Sequence, residues 1–240
     1  MHECLLSYAV KNISFQNYDH RYFYVDKKNI GHFTCGLARD IMTWILRSLG
    51  EDIFIDSQWL NSFTFVKNNP SMLGFVVEQA CLSSIAQNGI RVAGLGLDHM
   101  KTTTFNQFPS YDNTVDHSLY IPSAFNFRAI DGLILQLDKT NRDACLIPIQ
   151  ITIAKNHSKS DTAFFDNWDK WKRGLEEYNV SVKFLWITEE KRATKEEEKD
   201  EKKLRGRTII RPAHTIEHVT IADLNQDIGI KKATCEEERY

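Results

Sequence analysis

The chain has 240 residues, 42% of them apolar and 26% charged, with a formal net charge of −2. That length carries one large domain or two small ones and buries a full core without disulfide or metal staples. The charge balance excludes a uniformly basic nucleic-acid coat, while acidic runs elsewhere leave room for a local basic groove.

Residues 1–35 are aromatic-rich and show no clear period. From Gly36, Leu37, Ile41, Trp44, Ile45 and Leu49 follow helical spacing, with Gly50 as the stop, and a shorter helix is expected from Asp56. Residues 1–68 therefore read as a small helical lead-in to a domain over 69–240. At "NNPSMLGFVVEQACLSSIAQNG", Asn69 can cap, Pro70 suits the first helical position and Gly89 can terminate. This helix is apolar nearly all round, so burial is expected. "IRVAGLGL" starts an extended stretch, and residues 98–118 read as a long polar loop.

Two strands follow, "NFRAIDGLILQL" and "ACLIPIQITIA", joined by the turn-rich "DKTNRD". Beyond them, Phe164, Trp168, Trp171, Leu175 and Tyr178 form one helical stripe, which is expected to be core rather than a base-stacking platform. "VKFLWIT" is a further strand, and the charge run at about 189–205 reads as a solvated insertion, a frayed helix or a loop. "RTIIRP" and "IEHVTIADL" are closing strands. The order describes a mixed α/β domain without internal repeats. Five scattered cysteines without a C-x-x-C pair exclude a zinc ribbon and read as reduced, buried thiols of cytosol or nucleus. No apolar run is long enough to span a membrane, and the first residues lack the regions of a secretory signal.

"IPIQITIAKNHSKSD", residues 147–161, places an amide inside a branched apolar strand and ends it in a basic loop. A core hydrogen bond, a catalytic edge and a phosphate-gripping edge would each account for it. With the turn centred between Thr140 and Asn141, Asp131 falls opposite Gln150, their Cβ atoms about 5 Å apart. Thr152 shares the Gln150 face by strand alternation. Pro148 lacks a ladder donor, so a bulge or a locally unpaired edge is expected there. Glu78 projects from a helix face shared with Phe75, Leu82 and Ile85, where a carboxylate needs a partner, a proton or a metal. An ion pair with Arg91 or Arg128 would serve, as would a divalent cation shared with Asp131 and Gln150; oxygen donors suit magnesium. Lys155, His157, Ser158 and Lys159 crowd the end of the Gln150 strand, either as ordinary loop residues or as a phosphate grip.

A helix with Glu, a strand with Asp and a hairpin partner with a third polar residue resemble the PD-(D/E)XK nucleases of restriction-endonuclease-like fold. More narrowly, "FRAIDGLIL…CLIPIQITIAKNHSKSD" with the tryptophan helix and "VKFLWIT" is similar to the nuclease-like domains of Crinkler and RHS-type proteins, where an Asp strand precedes a Q-x-T-(I/V)-(A/S)-K-x-H strand. The resemblance covers roughly residues 70–230. It implies a mixed sheet flanked by helices, hydrolysis of phosphodiester bonds, DNA above all, with Mg²⁺ or Mn²⁺, and an effector acting in host nuclei. Carried over by position, Glu78, Asp131 and Gln150 are metal ligands, Lys155 and His157 the catalytic basic group, and Ser158 and Lys159 further nucleic-acid contacts. A homodimer is the expected assembly for cutting both strands, and no membrane is implied. Gln150 stands where the usual pattern has a third carboxylate, and Thr152 where it has lysine. The alternative is accordingly a degenerate nuclease fold that binds nucleic acid or a host protein without cleavage.

Overall fold

A computed structural model of the chain describes residues 23–25, 31–33, 70–92, 94–123, 127, 129–153, 160–190, 193, 195–198, 200–204, 207–226 and 228–229. The two lead-in helices expected after Gly36, like Lys155, His157, Ser158 and Lys159, lie outside the described residues. Within the first 35 residues, β1 (Phe23–Val25) and β2 (Gly31–Phe33) pair antiparallel as a small hairpin.

The main body is an α/β structure built on one mixed seven-stranded sheet. Its elements run α1 (Pro70–Asn88), β3 (Lys101–Phe105), β4 (His117–Pro122), β5 (Gly132–Asp138), β6 (Asp143–Ile151), α2 (Ser160–Phe165), α3 (Trp168–Trp171), β7 (Asn179–Thr188), β8 (Lys195–Glu197), β9 (Asp200–Leu204), β10 (Arg207–Arg211), β11 (His214–Thr220) and α4 (Ile221–Leu224). The sheet order is β3-β4-β5-β6-β7-β11-β8, with β9 and β10 forming a separate two-stranded ribbon. β4, β5 and β6 are an antiparallel meander, whereas β6, β7 and β11 run parallel to one another. The β6-to-β7 crossover contains α2 and α3, as a parallel connection requires intervening structure.

Strand alternation divides the core in two. Ile134, Ile147, Ile149, Ile151, Leu185 and Ile187 face α1 and pack with Val77, Cys81 and Ile85. Leu133, Leu135, Leu146, Phe184 and Trp186 face the other way, against Phe164, Phe165, Trp168 and Trp171. Helix α1 begins at Pro70 and ends before Gly89, whose φ of +72° is the left-handed conformation of a helix stop. Residues 77–86 are buried without interruption, because one side meets the sheet while α4 packs on the helix as well. The aromatic stripe is core, as its spacing indicates, yet Asn167 and Gly174 divide it into two short helices and a turn. Phe164 stacks on Trp171 at 4.9 Å and meets Phe184 edge-on at 5.3 Å.

Three expectations are corrected. The stretch 98–118 is not one polar loop: it contains β3 and the first residues of β4. β3 is an edge strand with Lys101, Thr103 and Thr104 exposed, so apolar alternation is absent and only its threonines hint at a strand. The charge run is neither a frayed helix nor a loop throughout. It contributes β8, whose exposed Lys195–Glu197 close the sheet beside β11, and β9. Charged edge strands of this kind resist edge-to-edge association. Finally, "IEHVTIADL" is not strand to its end, since Thr220 caps α4 by accepting from the Asp223 N–H while Asp223 receives the Thr220 N–H.

Candidate functional site

The hairpin carrying Asp131 and Gln150 turns at residues 139–142. Asp138 accepts the N–H groups of Thr140 and Asn141 and the Asn141 side chain, and Arg142 adopts φ 53°. Register then runs unbroken from Asp138↔Asp143 to Gly132↔Ile149. Pro148 therefore produces no bulge. It faces Leu133 in register, and its effect is a gap in the ladder to β7 between Leu146↔Val182 and Ile149↔Leu185. The missing N–H removes a bond without shifting the strand.

Distortion falls on the other strand. The Asp131 N–H donates to the Ile149 carbonyl at 2.8 Å, and Gly132 also faces Ile149, so two residues of one strand oppose one of its partner. That is a bulge, a device that re-aims a side chain at a strand end. Gly132 suits it: a Cβ there would come within 2.9 Å of Leu82. The Asp131 carboxylate thereby reaches across the hairpin. Its Oδ2 accepts the Gln150 Nε2 at 2.6 Å and the Ile151 N–H at 2.6 Å. Asp131 is buried, and Gln150 is half-buried. The expected opposition of these two residues is thus a direct contact.

Glu78 enters from α1. It is buried and accepts the Gln79 amide at 2.9 Å on Oε1. The ion pair considered with Arg91 is absent, because Arg91 binds Asp98 at 2.9 Å on the surface. Arg128 lies outside the described residues. Glu78 and Asp131 share a neighbour, Cys81, one helical turn after Glu78. Burial pushes the Cys81 thiol far up, and the Glu78 and Asp131 carboxylates add to that rise. Two acids from separate elements therefore converge on one buried thiol, with Gln150 bound to the second acid.

The cluster lies where β6, β7 and β11 end. Gln150 faces Trp186 in register on β7, and Trp186 faces His218 on β11, forming a row across three parallel strands. One position further, the buried Thr152 donates its N–H to the Ile187 carbonyl at 2.9 Å, extending β6 along β7. The carboxyl ends of strands in open α/β sheets are their usual ligand edge. Cys81 could have been found from its i,i+3 relation to Glu78. Trp186 and His218 could not, since parallel registers join residues far apart in sequence. Among the described residues no group of three or more His, Cys, Asp and Glu side chains is placed to hold a metal ion; the Glu78–Asp131–Gln150 set has two such residues and an amide. In comparison with known proteins, no family model and no curated protein matches this chain.

Proposed function

We propose that the chain is a metal-dependent nuclease of the PD-(D/E)XK kind, resembling the Crinkler and RHS-type nuclease domains, that hydrolyses phosphodiester bonds of DNA. The observation that carries the proposal is the convergence of Glu78 and Asp131 on Cys81, with Gln150 bonded to Asp131. Supporting it is the architecture, a mixed sheet flanked by helices in which an acid-bearing helix precedes an Asp/Gln hairpin.

The donor chemistry fits a hard divalent cation. Two buried carboxylates close to one site cost free energy through desolvation and mutual repulsion, and a cation between them offsets both. The Gln150–Asp131 contact of 2.6 Å is short for an amide N–H donor. With the amide turned over, Oε1 and the carboxylate would present two oxygens to the same point. Glu78, Asp131 and Gln150 would hold Mg²⁺ or Mn²⁺, which supplies Lewis-acid charge and acidifies water when bound. The protein's own part is positional. The bulge aims Asp131, the Ile151 N–H fixes its carboxylate, and the α1–sheet core walls the site from bulk water. Lys155 and His157 are proposed as the basic group acting on the phosphate, with Ser158 and Lys159 gripping the neighbouring backbone.

A second reading has its own observation. Asp131 Oδ2 already serves two donors, and Thr152 stands where the family pattern has lysine. A fold retaining its binding edge but not its chemistry would engage nucleic acid, or a host protein, without cutting it. Action in host nuclei belongs to either reading. Purified protein incubated with plasmid and linear duplex DNA, with Mg²⁺, with Mn²⁺ and with EDTA, separates them. Metal-dependent nicking lost in Glu78→Gln and Asp131→Asn supports the nuclease. Salt-sensitive binding with no cleavage under any metal supports the second reading instead.

A further inference from the structure

On the aromatic side of the sheet, away from α1, a cavity of about 100 Å³ opens between the segment after β3, the approach to β5, and α2–α3. Its walls are Phe108, Phe127, Ala129, Ala163, Asp166, Asn167 and Trp171. The rings set its shape: Phe108 meets Trp171 edge-on at 4.9 Å, and Phe127 meets it edge-on at 6.2 Å. Polar groups are placed among them. Trp171 is buried, and its indole N–H has no acceptor in the protein. A buried donor without a partner costs free energy that a ligand oxygen or ring nitrogen would recover. Asn167 precedes α3, but its side chain makes no cap bond there, and Asp166 is exposed. Lys170 holds its ammonium 5.2 Å from the centre of the Phe108 ring.

The geometry points to a subsite for one pyrimidine base of a single-stranded nucleic acid. The size suits one six-membered ring, since an apolar cavity of about 150 Å³ takes benzene. Aromatic walls bind a base through its faces and edges in a sequence-tolerant way. Donor, amide and carboxylate together match the mixed edge of a base. Lys170, at one wall, matches the phosphate that accompanies it and disfavours a cationic occupant. Placement adds a further reason. Ala129 lines the cavity and stands two residues before Asp131, about 7 Å along an extended chain. A strand with its base seated here would run its backbone toward the Asp131–Gln150 edge. The inference deepens the nucleic-acid reading above but does not require cleavage.

The test uses the full chain in EDTA, where no cleavage can contribute. Fluorescence anisotropy compares a dye-labelled ten-residue deoxycytidine oligomer with an abasic oligomer of the same length and charge. About tenfold tighter binding of the first is expected, the ratio that ~1.4 kcal/mol gives. Ala163→Leu, which fills the cavity, and Asn167→Ala, which removes an uncommitted amide at little structural cost, should each bring that ratio towards one while thermal melting is retained. Equal affinity for the two oligomers overturns the inference, as does a ratio that survives both variants in folded protein. So does competition by tetramethylammonium but not by cytidine. A protein that shows the base preference yet never cuts DNA upholds the subsite and removes the nuclease; cleavage without base preference does the reverse.

Discussion

Replacing Asp131 by alanine, in protein stripped of divalent ions, separates two accounts of why a carboxylate is buried at the hairpin end. Its Oδ2 accepts the Ile151 N–H and the Gln150 amide, both at 2.6 Å. Hydrogen bonds to a charged group contribute about 1.5–3 kcal/mol each, and a buried N–H left without an acceptor costs about 1–3 kcal/mol. Ile151 is buried, so its N–H bears that cost, whereas the half-buried Gln150 can turn to water. Against this stands relief from burying a carboxylate near Glu78. The expected net loss is about 2–4 kcal/mol. With a urea dependence of about 2–3 kcal/mol/M for a chain of this size, the unfolding midpoint should fall by roughly 1–1.5 M. Asp131→Asn, which keeps one acceptor oxygen, should lose about half as much. The Asp131→Ala and Gln150→Ala changes should couple by about 1 kcal/mol in a double-mutant cycle. The measurement is urea unfolding in EDTA followed by tryptophan fluorescence. A midpoint that stays fixed or rises in Asp131→Ala would refute the clamp. It would mean that repulsion from Glu78 outweighs the hydrogen bonds, as in a site that gives up stability for function.

Two further predictions concern positions away from the acid cluster's chemistry. Gly132→Ala puts a Cβ within 2.9 Å of Leu82 Cδ2 in a closed part of the core, and should destabilise by about 1–3 kcal/mol in the same urea assay. Combining it with Leu82→Ala, which removes the obstructing carbons, should cost less than the sum of the two single changes. The Asp112 carboxyl is lowered from 3.8 to about 2 by the Thr114 hydroxyl and N–H and by Lys101. A depressed folded value means that the stabilisation is present above the unfolded value and fades as pH falls through about 2. Wild type should therefore exceed Asp112→Asn in stability at pH 5, with the difference shrinking between pH 4 and pH 2. A difference constant over that range would contradict the assignment.

Much of the acid cluster was legible from local rules. Pro70 and Gly89 bracket α1, the turn residues of "DKTNRD" set the hairpin register, and that register alone brings Asp131 to Gln150. The outlying strands were not legible, because β3 and β8 are held by pairing to one neighbour and by little apolar burial of their own. Pro148 was a true signal read onto the wrong consequence: a missing donor interrupts a ladder, whereas the bulge sits at Asp131, where Gly132 permits close approach to Leu82.

By itself the sequence determined which segments are helix and hairpin, which residues face inward, and that three polar groups would need partners in an apolar setting. These depend on period, turn chemistry and the cost of burying charge, all of which act over a few residues. Tertiary structure alone decided that Glu78 and Asp131 share Cys81, that Gln150 lines up with Trp186 and His218, and that Phe108, Phe127 and Trp171 enclose a cavity. Those relations join positions tens of residues apart through parallel pairing and packing, and no local pattern encodes such distances.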